Sequence, residues 1–220
     1  MKLLNKTPFQ FAPIVGKVNF PNHSLTLVVK GSFELSPDAA AVTSAEQALP
    51  TGDEFYSDVE ERQGSGRYES DFDYFKPRAD LLLVGKCHPP GGKAAPYSSV
   101  TFRVGGKSKS LAVFGDRYWT RSRGLFLSAS TPKPFTEMDL RYEKSYGGEG
   151  YDVNPVGKGY KEVETPAGAK IQPLPNIEDP HALMDSPSAR RNPEGFGPVG
   201  MMWGGRKAKL GTYKEKWLKE

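Results

Sequence analysis

The alternation of apolar and polar side chains near the start of the chain predicts β-structure. Leu25, Leu27 and Val29 recur at every second position, which is the spacing of residues on one face of a strand. The tripeptide Pro21-Asn22-His23 supplies turn-forming residues just before them. The pattern therefore predicts a hairpin of two strands over residues 15–35.

Three apolar segments further along give the strongest strand predictions. The last two are separated by Gly105-Gly106, a pair typical of tight hairpin turns, and should therefore form an antiparallel hairpin. The three segments are 79–87, 98–104 and 108–114. Further strands are predicted at 117–119 and 138–142, whereas 36–53 is predicted to be a connection and the acidic stretch 53–73 a solvated loop.

Regular alternation fades from Tyr146 onward, where glycine, proline and asparagine dominate. Tyr151, Tyr160, Phe196 and Trp203 could anchor such a segment, so we expect a long irregular wrap. The predicted fold is mostly β, an antiparallel sandwich or distorted barrel with this Gly/Pro-rich wrap. A β-rich scaffold over 1–145 and a wrapping segment over 146–220 should belong to one domain. The alternative is two small domains divided near 130–150. A weakly helical stretch is predicted at 212–220.

Composition favours a cytoplasmic protein. Glycine and proline account for 24 and 19 of the 220 residues, which favours strands, turns and ordered loops. The single cysteine excludes an internal disulfide and indicates a reducing compartment. The N-terminal residues lack the apolar region of a secretion signal, and the longest apolar runs are too short to span a bilayer. We therefore expect a soluble protein without a membrane partner.

The net charge of +4 conceals an alternation of sign along the chain. Residues 38–80 carry a net −7, 81–133 a net +8, 134–189 a net −5 and 190–220 a net +5. Segments of opposite sign should meet inside the fold, or else present separate faces to a charged partner. No basic module interleaved with stacking aromatics is present, so nucleic acid is not an expected partner.

No sequence pattern identifies a catalytic, cofactor-binding or metal-binding residue. Cys87 and His88 are neighbours in a predicted strand and would point to opposite faces, which argues against a nucleophile and its base. Carboxylates near glycine-rich turns leave a carbohydrate-active hydrolase as an alternative, although ion pairs and turn caps are their default roles. These carboxylates are Asp80, Asp116, Glu143 and Glu178.

A series of short motifs over 76–217 carries the most specific signal. No single motif is decisive, but seven or eight occur in order. Their principal residues are Lys76, Pro77, Arg78, Asp80, Gly85, Gly115, Asp116, Arg117, Trp119, Glu143, Tyr146, Gly147, Gly148, Asn154, Pro155, Gly157, Asn176, Glu178, Trp203 and Arg206. In this order the set resembles the family of uncharacterised-function domains encoded beside type VI secretion effectors.

The resemblance implies a bacterial adaptor or chaperone. Such a protein would bind and stabilise a cognate effector toxin in the cytoplasm and assist its loading onto the secretion spike, often through a spike-tip domain of the effector. The spike protein would be an indirect partner, and no catalytic residues are implied. A structural component of the spike is a further alternative.

The motif residues have physical roles that do not depend on the resemblance. Gly85, Gly115 and Gly157 suit bulges, tight turns or close backbone approach, and Asp116 with Arg117 could form a turn clamp. On this interpretation the motifs specify the scaffold. Contacts with the partner would then lie in 38–70, 89–97 and 120–134.

The end of the chain gives one more expectation. Proteins of the resembled family usually continue beyond the tryptophan that matches Trp217, whereas this sequence stops at Glu220. The chain could be truncated or a short member. If the segment that usually follows covers this site, Trp217 and Leu218 should form an exposed apolar patch that favours self-association or pairing with another chain.

Overall fold

The fold is mostly β, as the sequence predicts. The computed structural model describes residues 3–19, 22–56, 64–73, 79–122, 126–200 and 203–207. Within these ranges the strands form small sheets and no closed barrel, so the predicted distorted barrel is not found. Helical structure there consists of 3-10 turns at Pro90–Gly92 and Tyr142–Lys144 and the short helix α1 (Gly204–Lys207). No helix in the described part of the chain is long and apolar enough to cross a membrane.

Seventeen strands are found in the described part of the chain. They are β1 (Gln10–Asn19), β2 (Asn22–Lys30), β3 (Phe33–Glu34), β4 (Val42–Thr43), β5 (Glu54–Phe55), β6 (Gly66–Tyr68), β7 (Lys86–Cys87), β8 (Tyr97–Val104), β9 (Lys107–Phe114), β10 (Trp119–Ser122), β11 (Phe126–Ala129), β12 (Met138–Asp139), β13 (Tyr146–Gly147), β14 (Lys158–Gly159), β15 (Val163–Glu164), β16 (Lys170–Ile171) and β17 (Ile177–Glu178).

The described residues divide into two compact units. The described residues of unit 1 are 3–19, 22–54, 68–73 and 79, and those of unit 2 are 55–56, 64–67, 80–122, 126–200 and 203–207. The strands β5 and β6 lie where the chain passes between the units. The predicted scaffold over 1–145 with its wrapping segment over 146–220 stays a prediction.

Unit 1 is built on an antiparallel hairpin of β1 and β2, which confirms the prediction from the alternating pattern. Val15 pairs with Leu25 and Phe11 with Val29. The first strand begins at Gln10, earlier than predicted. The second begins at Asn22, inside the predicted turn, while residues 20–21 lie outside the described ranges. A short antiparallel pair of β3 and β4 interrupts the predicted connection.

The main sheet of unit 2 has the strand order β17-β9-β8 and is antiparallel. The predicted strands at 98–104 and 108–114 are confirmed, and Gly105 turns between them with a φ of +54°. Leu111 and Val113 of β9 are fully buried. They form a core cluster with Cys87, Met138, Leu140, Ile177 and Phe196.

The prediction of a strand over 79–87 is wrong for most of its length. Only Lys86 and Cys87 form a strand, which pairs with β12. The backbone before them bonds to separate partners, since Leu83 N donates to Phe196 O and Leu140 N donates to Gly85 O. The predicted strand at 138–142 likewise ends at Asp139, and a 3-10 turn begins at Tyr142.

Residues 146–200 lie in unit 2 and contain short strands between irregular stretches. The strands β13 and β14 are parallel, and β15 and β16 are antiparallel. A second core cluster contains Tyr146, Leu174 and Met184, against which Tyr151 and Tyr160 pack. The other two predicted anchors, Phe196 and Trp203, are also buried.

Candidate functional site

A buried ion pair joins Arg117 to Glu178, although the two residues are 61 positions apart. The side chain of Arg117 is 9% exposed and that of Glu178 is 3% exposed. Arg117 donates from Nη2 to Glu178 Oε1, while Glu178 Oε2 accepts a 2.6 Å hydrogen bond from the backbone N of Met184. The guanidinium also lies 3.6 Å from the ring centroid of Phe114. Both carboxylate oxygens are therefore engaged.

Burial is the main cause of the pKa shifts of both residues in this pair. It raises the pKa of Glu178, and the charge of Arg117 opposes that shift without cancelling it. Burial also lowers the pKa of Arg117. Forming the pair therefore costs desolvation free energy, which the ion pair and its hydrogen bonds offset. Removing either partner should destabilise the fold, because the other charge would stay buried without a countercharge.

Asp116 does not pair with Arg117, so the predicted turn clamp between these neighbours is wrong. Asp116 lies in a bend, and the two neighbouring side chains have different partners. Asp116 accepts 3.1 Å hydrogen bonds from Lys158 Nζ and Asn176 Nδ2. Burial alone would raise the pKa of Asp116, but the bond from Asn176 and the charge of Lys158 outweigh burial and lower it.

Asn154 is a fully buried polar residue that joins two turns of unit 2. Its Nδ2 donates to Tyr142 O at 2.9 Å and to Tyr146 O at 3.0 Å. Gly147 and Gly157 lie against it, and a Cβ at either position would overlap atoms of Asn154. The glycines are therefore required by close packing, as predicted for Gly157.

Gly115 also meets the prediction of close approach, whereas Gly85 does not. A Cβ at Gly115 would overlap the carbonyl oxygen of Lys133. A Cβ at Gly85 would have no heavy atom within 4 Å, so nothing in the described structure requires glycine there.

Several other motif residues also take part in local bonding. Glu143 accepts 2.7 and 2.6 Å hydrogen bonds from Ser65 N and Oγ. Arg206, which is buried, donates to Val199 O at 2.6 Å, and Trp203 packs edge to face on Tyr142. Trp119 packs against the second core cluster.

The remaining predicted residues have less defined settings. Asp80 and Pro155 are exposed, and Gly148 has a φ of +136°. Lys76, Pro77, Arg78, Trp217 and Leu218 lie outside the described residues, as does the predicted helical stretch at 212–220.

A cavity of about 290 Å³ in unit 2 bears on the hydrolase alternative. It is lined by Glu178, Asp179 and Glu194 together with Arg190 and Arg191. A general acid needs an oxygen that can reach a substrate, but both oxygens of Glu178 already accept hydrogen bonds from the protein. Both oxygens of Glu143 likewise accept hydrogen bonds, from Ser65, whereas the two bonds to Asp116 are both accepted by Oδ1. The observed bonds give Glu178 and Glu143 structural roles.

One face of the β1–β2 hairpin in unit 1 carries a row of exposed apolar side chains. Cross-strand pairs place Val15 beside Leu25, Pro13 beside Leu27 and Phe11 beside Val29 on the same side. We call these six residues the hairpin face. Val15 is 70% exposed and Val29 is 57% exposed. The alternation of Leu25, Leu27 and Val29 marks this face in the sequence, but it does not indicate that the face is uncovered.

Burial differs sharply between the two units. Every buried hydrophobic residue of the two core clusters belongs to unit 2. None of the unit 1 residues whose side chains are described is fully buried. An isolated two-stranded hairpin is marginally stable, and it gains stability when an apolar face is covered. The hairpin face is therefore the candidate functional site.

A family model matches residues 21–220 of the chain. The chain belongs to a family described as an uncharacterized protein conserved in bacteria (DUF2169). Neither the curated proteins nor the solved structures include a match. In this DUF2169 protein the matched region includes β2 of the hairpin and all of unit 2.

Proposed function

We propose that this DUF2169 protein is an adaptor and chaperone for one type VI secretion effector. It would bind and stabilise the toxin and assist its loading onto the secretion spike, so that contact with the spike is indirect. The order of the sequence motifs supports the type VI assignment. The uncovered hairpin face is the single structural observation on which the binding role rests.

The physical argument begins with the apolar surface. Contiguous exposed apolar patches on a folded protein typically mark sites of protein association, because covering them removes apolar area from water. The six side chains of the hairpin face are held in register by nine cross-strand pairs. A partner would cover a preformed surface and would stabilise unit 1 in return.

The motif residues support the same proposal from the other direction. Glu178 and Asn154 are buried and the side chain of Arg117 is only 9% exposed, and hydrogen bonds tie these residues to one another or to nearby backbone groups. Residues of this kind fix the shape of a scaffold, while exposed residues that differ between proteins can choose a partner. The scaffold of unit 2 and the binding face of unit 1 then have separate tasks.

Co-expression with a candidate effector toxin encoded beside the protein tests this function. We expect the toxin to co-purify with the protein and to be degraded more slowly in its presence, as measured by quantitative immunoblotting after translation is stopped. The purified complex should also resist limited proteolysis of the toxin. Equal toxin levels with and without the protein would contradict a chaperone role.

The Val29→Ser substitution tests the hairpin face itself. Val29 is 57% exposed, and removing its apolar contact should weaken toxin binding about tenfold, which corresponds to about 1.4 kcal/mol. Val163→Ser is the matched control, because Val163 is 47% exposed on another two-stranded antiparallel sheet. Titration calorimetry with the purified toxin measures both. Equal weakening by the two substitutions would exclude the hairpin face as the specific contact.

A further inference from the structure

A second exposed apolar surface lies in unit 2, at the turn end of the β8–β9 hairpin. It is a groove of about 280 Å³. Two buried residues, Tyr142 and Phe196, line it together with Phe102. The rings of Phe102 and Phe196 meet edge to face, with centroids 5.7 Å apart. The groove therefore has a rigid aromatic lining.

The sides of the groove are apolar and exposed. Leu81 is 50% exposed, Leu82 is 42% exposed and Val104 is 43% exposed. The side formed by Leu81 and Leu82 is held in place by the hydrogen bond from Leu83 N to Phe196 O, at 2.9 Å. Phe196 belongs to the first core cluster and Phe102 packs against it, so part of the lining of the groove is anchored to the core of unit 2.

Gly195 and Lys109 keep the groove open. A Cβ at Gly195 would lie 3.0 Å from the ring of Tyr142, so a larger residue would push the two apart. Lys109 Nζ donates to Gly195 O at 3.0 Å and forms a 2.7 Å ion pair with Glu194. These contacts fix the segment that follows Glu194 beside the hairpin.

The rim of the groove is basic. Lys107 and Lys109 both line it, and Glu194 neutralises only Lys109. Within the described ranges, the ammonium group of Lys107 has no hydrogen-bond or ion-pair partner. Residues 81–115, which supply the two leucines and the hairpin, contain five basic residues and no acidic residue. An acidic ligand would therefore be attracted to this rim.

We propose that the groove binds a short acidic segment of a protein partner through two or three apolar side chains. The inference rests on the proposed function, because the segment would belong to the effector. A volume of about 280 Å³ is at the small end for ligand pockets and suits a few side chains. The apolar sides would hold those side chains, and Lys107 would pair with a neighbouring Asp or Glu.

Selection from a displayed library of random dodecapeptides on the purified full chain tests this inference. We expect enrichment of peptides in which Asp or Glu flanks leucine or an aromatic residue. The Lys107→Glu protein should lose the acidic preference, and Val104→Arg, which fills the groove, should weaken binding of the enriched peptides at least tenfold. Val163→Arg is the control, because Val163 is similarly exposed but lies outside the groove. Circular dichroism melting of each variant checks folding.

Three results would overturn the proposal: no enrichment, enrichment without acidic residues, or binding that Val104→Arg leaves unchanged. Light scattering adds a further outcome, because a dimer that Lys107→Glu dissociates would place a second copy of this chain in the groove. Failure of the groove proposal can be distinguished from failure of the adaptor function. Peptides that bind the groove while the toxin does not bind the protein would refute the adaptor function and leave the groove specificity intact.

Discussion

At the scale of single residues, the pair Arg117 and Glu178 shows what the sequence could and could not reveal. The motif that contains Arg117 predicts a structural charge, but the immediate neighbour Asp116 was the wrong partner. The true partner is 61 residues away, on a strand whose pairing with β9 depends on the tertiary fold. Local sequence carries no information on such a contact, although the opposite charges of 81–133 and 134–189 indicate that pairs of this kind exist.

Arg117→Ala should destabilise the protein by about 3 kcal/mol or more, because it leaves the Glu178 carboxylate buried without a countercharge. The measurement is the free energy of unfolding in urea at neutral pH. The double variant Arg117→Met/Glu178→Gln removes both charges and should recover at least about 1 kcal/mol relative to Arg117→Met alone. An unchanged unfolding free energy combined with lost toxin binding would instead assign the pair to the interface.

Gly115→Ala and Gly85→Ala should differ although both glycines belong to the predicted motifs. The new methyl group at Gly115 would overlap Lys133 O, so we expect a loss of about 2 to 3 kcal/mol. The methyl group at Gly85 meets no atom within 4 Å and should change stability by less than about 1 kcal/mol, with a gain allowed. Thermal denaturation of the two variants measures the difference. Equal melting temperatures would contradict the close approach at Gly115.

Asp116→Asn tests the origin of the lowered pKa. Because the folded-state pKa of Asp116 is below its unfolded value, the unfolded chain binds the proton more readily and stability rises with pH. The wild type should therefore exceed the variant in stability above about pH 4, the ordinary range of an aspartate. This advantage should disappear as the pH falls through the lowered folded-state pKa. Urea unfolding from neutral pH to about pH 3 measures it, and a constant difference would contradict the assignment.

At the scale of elements, prediction succeeded where the signal was local. The β8–β9 hairpin has Gly105-Gly106 between two apolar strands, and the β1–β2 hairpin has a regular alternation, so both were recognised. The segment 79–87 has an equally apolar sequence but forms a strand only at its end. Its backbone partners, Phe196 O and Leu140 N, come from distant parts of the chain. Apolar composition predicts that such a segment packs on a core without predicting how its backbone is satisfied.

The candidate site also combines predictable and unpredictable elements. The sequence places Leu25, Leu27 and Val29 on one side of a strand, and normally that side would be assigned to the core. The described structure instead leaves them 44%, 48% and 57% exposed. Exposure depends on what covers the sheet, which periodicity cannot show. For this reason the hairpin face was not among the partner surfaces predicted from the sequence, which are 38–70, 89–97 and 120–134.

At the scale of the whole molecule, the alternation of charge along the chain has a structural outcome in each unit. In unit 1, Lys30 from the basic residues 1–37 pairs with Asp71 from the acidic residues 38–80, with 2.6 Å between Nζ and Oδ2. In unit 2, Lys86 from the basic residues 81–133 pairs with Glu137 from the acidic residues 134–189, with 2.8 Å between Nζ and Oε1. Opposite segments therefore meet within units, as expected. At the end of the β8–β9 hairpin Lys107 has no partner among the described residues, and the proposed acidic segment would supply one.

The uneven distribution of the core leads to a prediction for the whole chain. Both core clusters belong to unit 2, while no described side chain of unit 1 is fully buried. Amides held by few buried contacts open at low free energy, so backbone amides of β1 and β2 should exchange with deuterium at least about tenfold faster than those of β8 and β9. Hydrogen exchange with mass spectrometry measures both hairpins in one sample.

Partner binding should reduce this difference in amide exchange. If the toxin covers the hairpin face, exchange in β1 and β2 should slow in the complex, while the already buried residues 111–113 of β9 should change little. The β15–β16 pair provides the internal control, because it is also two-stranded and exposed but lies outside both proposed surfaces. Protection of β15–β16 equal to that of β1–β2 would indicate a general tightening of the protein. Fast exchange in β1–β2 that persists with bound toxin would move the binding site away from the hairpin face.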